Sequence, residues 1–164
     1  MTPLHHGSQS RVEVLQRLPR VEAKALLLQI SSIERKTFPT NEALQFDPSL
    51  LSKANTTILL VRNHGSTSND VVGYALFVRF QKTILLHKIC VAAAFRGRNY
   101  GRHLLEDIIS RSKHASCRKI ELWVDESRSV ARALYTRHHF IELESVENYY
   151  APGRTGIKMC LDLV

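Results

Sequence analysis

A chain of 164 residues, 44% hydrophobic and 23% charged, has the size and balance of one ordinary domain with a single substantial core, which excludes wholesale disorder. Its apolar runs fall far short of the roughly 20 residues needed to cross a bilayer, so no membrane is expected as a partner. A formal net charge of +8 asks instead for an anionic partner, whether nucleic acid, an anionic surface or a phosphate-bearing cofactor.

Taken in chain order, residues 1–10 hold adjacent His5 and His6 and no hydrophobic core of a secretory signal, so they read as a disordered tail ahead of a single domain at 11–164. Residues 11–16 (RVEVLQ) alternate as a short strand, with Val12, Val14 and Gln16 on one side. From Val21, the positions Leu26, Ile30 and Ile33 keep helical spacing, and the helix must end near Phe38-Pro39 because proline cannot continue it. Residues 48–53 suggest a second short helix. Thr56–Arg62 (TTILLVR) reads as a strand and 64–70 (HGSTSND) as a turn-rich connection.

Val71–Phe80 and Thr83–Val91 are two further strands, and only Gln81-Lys82 separates them, which predicts an antiparallel hairpin. Leu104, Leu105, Ile108 and Ile109 stripe a helix after Gly101. Residues 118–124 form a strand, Val130, Ala131, Leu134 and Tyr135 stripe another helix, and 140–146 and 157–163 are closing strands. This order predicts an α/β (α+β) domain: a single mixed, mostly antiparallel sheet of about seven strands with helices on both faces.

Cys90, Cys117 and Cys160 are widely spaced and make no C-x-x-C pair. Neither a disulfide framework nor a metal site is expected, and the pattern fits a reducing compartment, the cytoplasm or nucleus. Cys90, inside an apolar strand, reads as a packing residue.

The chemistry concentrates between residues 91 and 104. Arg96, Gly97, Arg98, Asn99, Tyr100, Gly101 and Arg102 join a strand to a helix. Such a turn presents backbone N–H groups at a helix N-terminus, where phosphate is favoured. Glycine and asparagine tolerate the positive φ this needs. A solvated basic turn before an ordinary helix is the alternative. The segment matches neither G-x-x-x-x-G-K-[ST] nor G-x-G-x-x-G.

It resembles the pyrophosphate loop of the GNAT superfamily of N-acetyltransferases, [QR]-x-x-G-x-[GA], with Arg96 first, Gly101 last and Asn99 in place of the middle glycine. Ile89-Cys90-Val91 is similar to the family strand that offers backbone groups to pantetheine. The stretch from Ala131 through Leu134, Tyr135 and Phe140 resembles the family's A-x-x-[FL]-Y-x-x-x-G-F segment, with His139 in place of glycine. Val146-Glu147-Asn148-Tyr149-Tyr150 and Phe38-Pro39 resemble the peptide-groove border of protein N-terminal acetyltransferases and ribosomal-protein acetyltransferases.

The resemblance implies the GNAT fold and direct transfer from acetyl-CoA to a primary amine within a ternary complex, with no metal. A protein or peptide N-terminus is the leading acceptor and a small arylalkylamine the alternative, with the enzyme a monomer or weak dimer. Tyr135 matches the tyrosine that protonates the leaving thiolate, and a backbone N–H near Val91 would polarise the carbonyl. Arg128 stands where many members carry a CoA-binding asparagine, and its guanidinium is expected to reach a phosphate. Leu85 occupies a position where some members place a base. His87, two residues on, shares its strand face by alternation and is the candidate base or water relay. The stretch from Leu86 to Val91 resembles the strand of the serotonin N-acetyltransferases. Glu42 is a weaker candidate, and Trp123 stands where some N-terminal acetyltransferases have a catalytic histidine. Specific nucleic-acid binding is not expected, because no helix-turn-helix, zinc or aromatic RNA-binding pattern accompanies the charge.

Overall fold

The apolar runs and stripes fold as their periods require. In the computed structural model, which describes residues 11–63 and 70–164, the elements are β1 (Val12–Val14), α1 (Arg20–Thr37), β2 (Thr56–Arg62), β3 (Val71–Phe80), β4 (Thr83–Val91), α2 (Tyr100–His114), β5 (Lys119–Asp125), α3 (Ser129–Arg137), β6 (Ile141–Ala151) and β7 (Arg154–Asp162). Short 3-10 turns occupy Leu15–Arg17, Pro48–Ser52 and Ala93–Phe95. The expected tail at 1–10 and all of the expected turn except Asp70 lie outside the described residues.

The strands make one sheet in the order β1-β2-β3-β4-β5-β7-β6, antiparallel throughout except between β4 and β5. On one face, Leu26, Leu27 and Ile30 of α1 pack against Ile58, Leu60 and Tyr74. On the other, Leu104, Leu105 and Ile108 of α2 and Tyr135 of α3 pack with Leu59, Val61 and Leu122. Successive residues of β2 therefore feed opposite cores, and this is why TTILLVR is continuously apolar. Each such side chain contributes about 1.5–3 kcal/mol on burial.

Three departures from the expected elements have local causes. β1 stops at Val14 because the Gln16 side chain takes over the pairing: its Nε2 donates to the Thr56 carbonyl at 2.9 Å and its Oε1 accepts from the Ile58 amide at 3.2 Å. Val130 is no part of the α3 core stripe and stands 85% exposed. β6 runs five residues past the expected end at 146, to Ala151, because it carries a bulge described below.

Two irregularities of β4 position the site. Leu76 pairs with Lys88 and Phe77 with Leu86, so His87 is an extra residue without a partner on β3, a β-bulge. Leu86 consequently joins the α2 core while Lys88 reaches Glu34 of α1, although regular alternation would put both on one face. Beside β5, β4 stays in register only from Thr83↔Lys119 to Leu86↔Leu122. Beyond those pairs the two parallel strands part.

Glu34 of α1 is fully buried and ties four segments together. One carboxylate oxygen accepts from the Leu44 amide at 3.0 Å and pairs with Lys88 Nζ at 2.9 Å; the other accepts from the Tyr74 hydroxyl. Burial pushes the Tyr74 phenol well above its ordinary range, which keeps it a donor. An unpartnered carboxylate here would cost several kcal/mol, and three partners offset that cost. Glu34→Ala strands Lys88 and Tyr74, so it is expected to lower stability by about 3–5 kcal/mol. A urea midpoint that hardly moves would show that the network contributes little.

Candidate active site

Where β4 and β5 part, a cavity of about 550 Å³ opens between the strands. Leu85, His87 and Ile89 of β4 form one wall and Trp123 of β5 the opposite one, with Tyr135 of α3, Tyr149 and Tyr150 of β6, and Phe38 closing the rest. Residues 109 positions apart in sequence, Asn41 and Tyr150, thus line one cleft.

Tyr135 is almost fully buried at the cleft, packed beside Phe140 with ring centroids 5.6 Å apart. Burial raises its phenol well above the usual range, and Tyr150 adds to that while the Arg128 charge works against it. Tyr135 therefore stays protonated at any physiological pH and remains a hydrogen donor. His87 faces the same cleft from the bulge. Desolvation there, helped by the charge of Lys53, draws its pKa below the ordinary histidine value, so the ring is neutral near pH 7 and able to accept a proton. His87 lines the cleft with Leu85 and Ile89, and it does so from a position without a partner on β3.

The opposite rim is aromatic. Residues 147–150 of β6 stand opposite Thr155 alone, between the pairs Val146↔Gly156 and Ala151↔Arg154. Asn148 takes φ 57° in this bulge, and its Oδ1 accepts from the Gly153 amide at 2.7 Å, which ties the bulge to the hairpin turn. The bulge delivers Tyr149 onto Trp123, stacked at 4.3 Å and 12°, with Tyr150 edge-on to Tyr149 at 4.9 Å. Gly156 permits this, since a Cβ there would lie 2.6 Å from the Tyr149 ring. Tyr150 is pushed up to about 12 by burial first and then by Tyr149 and Asp125.

Phe38 is buried at the end of α1 with two cations over its ring, Lys88 Nζ at 3.4 Å and the Arg128 guanidinium at 4.5 Å. Pro39 is exposed, and its carbonyl accepts from the amides of Glu42 and Ala43, both at 2.9 Å, so it shapes the turn while Phe38 lines the cleft. Arg128, expected to reach a phosphate, has its guanidinium on Phe38.

The residues at 96–99 are all exposed. Gly97 at φ 77° and Asn99 at φ 66° hold the left-handed turns this segment was expected to need. Asn99 is the N-cap of α2, makes no side-chain cap, and accepts from the His103 amide at 3.0 Å. The first turn of α2 contains no acidic residue, and among the described residues no ion pair is made by Arg96 or Arg98. The amides of Tyr100, Gly101 and Arg102 thus begin the helix without an intrahelical acceptor. Arg96 Nε donates to the Val91 carbonyl at 3.1 Å, which pins the loop to the end of β4. Arg102 pairs along the helix with Glu106 at 2.9 Å, and Tyr100 packs edge-on to Phe95. Ile89 lines the cleft, whereas the Cys90 thiol faces α1, 3.9 Å from Thr37 Oγ1, and burial pushes its pKa up. Only the backbone of Cys90 is available to the cleft side.

The sequence reading missed Lys88, Asp125 and Arg154. Arg154 grips Asp125 Oδ2 from Nε at 2.9 Å and also bonds Glu42, joining β5, β7 and the segment after α1. Burial works to raise Asp125, but bonds from Ser127 and Arg154 hold its carboxyl below the usual range. A lone lysine in the apolar run TILLHKICV was the one available signal for Lys88.

The model of the acetyltransferase (GNAT) family matches residues 25–140. Among solved structures, the ribosomal-protein-S18-alanine N-acetyltransferase of Escherichia coli is 20% identical over 94% of each chain, with a TM-score of 0.75. A chain of the NatC complex bound to Gag peptide and CoA is 17% identical over 95% of this chain and 99% of its own, at 0.78. NAA60 of Arabidopsis thaliana in complex with acetyl-CoA is 11% identical over 94% and 99%, at 0.76. These likenesses show a shared fold. No curated protein sequence matches the chain.

The positive φ of Asn99 gives a direct test of the loop. Asn99→Val places a β-branched residue in left-handed backbone, at an expected cost of about 1–2 kcal/mol, and Asn99→Gly relieves that strain. Equal denaturation midpoints for the two variants would contradict this turn.

Proposed function

The chain belongs to the acetyltransferase (GNAT) family, and on that premise we propose that it moves the acetyl group of acetyl-CoA onto the α-amine at the N-terminus of a peptide or protein. The observation that carries this reading is the aromatic rim. Tyr149, stacked on Trp123, and Tyr150 stand on a bulged hairpin and line the same cleft as Phe38, which gives it aromatic walls suited to an extended chain. The fold shared with an S18-alanine acetyltransferase and with a peptide-bound NatC chain supports it. So does the chemistry of the wall: Leu85 is no base, and an α-amine asks less of one. With a pKa near 8 it is roughly one-tenth neutral at pH 7, against about four parts in ten thousand for lysine.

The donor fits the loop by its chemistry. Unpaired amides at the start of α2, a first helical turn without an acidic residue, and the exposed Arg96 and Arg98 suit a diphosphate. The backbone from Ile89 to Val91, on the edge of β4 that β5 has left, would align the pantetheine arm and polarise the thioester carbonyl. The amine nitrogen bonds to that carbonyl carbon as the C–S bond breaks. His87, directly or through water, takes the proton lost by nitrogen, and Tyr135 supplies one to the departing sulfur. The products are an N-acetyl amide and free CoA thiol. Three buried free thiols are in keeping with a cytoplasmic setting.

The second reading, an arylalkylamine acceptor, is favoured by the Trp123–Tyr149 stack, which would hold an aromatic ring as readily as a peptide. Turnover on a panel of N-terminal peptides and aromatic amines separates the two, and activity confined to the amines would overturn the first. Tyr135→Phe is expected to lower kcat by about 100-fold with the acetyl-CoA KM nearly constant; matched losses in both would mark a structural tyrosine. Because His87 titrates below its ordinary value, kcat at saturating peptide should rise with pH along an acidic limb below the usual histidine range, separate from the rise of kcat/KM toward pH ~8 that neutralisation of the free α-amine produces. His87→Gln should abolish that acidic limb, and an unchanged limb removes His87 from the proton path.

A further inference from the structure

The charges around the cleft are unevenly spent. Each carboxylate at or behind its walls already has a cation: Glu34 has Lys88, Glu42 and Asp125 have Arg154, and Glu121 has Lys119 at 2.6 Å with Lys158 at 3.8 Å. Lys158 stands beyond hydrogen-bond reach of Glu121, and Arg128 likewise of its nearest carboxylate. The approach of Arg128 to Glu42 is 3.9 Å, and Arg154 already occupies that carboxylate. Among the described residues, no side-chain N–H of Arg128 donates a hydrogen bond.

Its geometry is nonetheless fixed. The Arg128 amide donates to the Asp125 carbonyl at 3.0 Å, its carbonyl accepts from Arg132 at 3.0 Å, and the guanidinium lies over Phe38. A guanidinium held by its face keeps its in-plane N–H fork free, and that fork matches a carboxylate. The side chain is about one-third exposed, so a ligand can reach it. It lines the same cleft as Tyr135 and Tyr150, and its charge is felt at both.

We propose that Arg128 is a specificity residue that binds a carboxylate on the acceptor, so that peptides beginning with aspartate or glutamate are preferred. The inference rests on the N-terminal acetylation reading and narrows it. A first-residue carboxylate lies within a few bonds of the α-amine, and Arg128 and Tyr135 line the same cleft. An acidic side chain there gives the Arg128 fork the hydrogen-bonded carboxylate that Glu42, at 3.9 Å and already bound by Arg154, does not supply, whereas a neutral one leaves the fork without that bond.

The test compares kcat/KM at saturating acetyl-CoA for peptides that differ only as Glu or Gln, and as Asp or Asn, at the first residue. The natural chain is expected to favour the acidic member by about tenfold or more. In Arg128→Gln the ratio should fall toward one, in Arg128→Glu below one, and Arg128→Lys, with charge but no fork, should keep an intermediate preference. Equal rates on Glu and Gln peptides in the natural chain would overturn the inference and leave N-terminal acetylation standing. So would an acid-to-amide ratio that survives Arg128→Gln while the acetyl-CoA KM rises, which would assign Arg128 to the cofactor. Turnover of aromatic amines with no peptide acetylated would sink the acceptor reading and this inference with it.

Discussion

The parting of β4 from β5 after Leu86 and Leu122 is the constraint on which the site depends. A parallel pair that stayed in register would satisfy its backbone groups internally and leave no cleft. Separation frees one edge of β4, and His87, without a partner on β3, faces the gap with Leu85 and Ile89. The neighbours on either side stay in the sheet: β4 remains paired with β3 to Val91, and β5 with β7 to Asp125. The cleft is therefore a gap between two paired strand sets, with side chains contributed from both.

Closing such a gap at its ends takes polar groups in a buried setting, and these are neutralised in pairs. Glu34 collects Lys88, Tyr74 and the Leu44 amide behind β4, and Arg154 collects Asp125 and Glu42 at the other end. Both arrangements anchor the segment after α1, at Leu44 in one case and Glu42 in the other. Phe38, which starts that segment, is thereby fixed as a wall and as the platform for Arg128. Electrostatic balance and the placement of the Arg128 guanidinium are thus features of the same set of contacts.

Much of the fold was legible because its signals are local. Apolar runs of strand length, helical stripes and the two-residue Gln81-Lys82 turn depend on neighbours within a few positions, and they returned the order of strands and helices. The loop around Asn99 was legible for the same reason: positive φ is a property of one residue and its side chain, and Asn99 and Gly97 adopt it. Tyr135, Phe38, Tyr149 and Tyr150 were picked out by the resemblance of their segments to those of the family, and they line a single cleft.

What the sequence could not reveal is where alternation breaks and who pairs with whom. A bulge is an extra residue relative to a partner strand, so neither the one at His87 nor the one at 147–150 has a signature within its own strand. The partners of Glu34, Asp125 and Arg128 lie tens of residues away, and which charge meets which carboxylate is settled by strand order and by competition for the same oxygens. By itself, then, the sequence determined the elements, the phosphate-favouring turn and the residue types available for proton transfer. Only the tertiary structure decided that His87 stands without a partner on β3, that Tyr149 lies on Trp123 over Gly156, and that the fork of Arg128 stays open. Those outcomes depend on distances between segments, and local propensity carries no information about such distances.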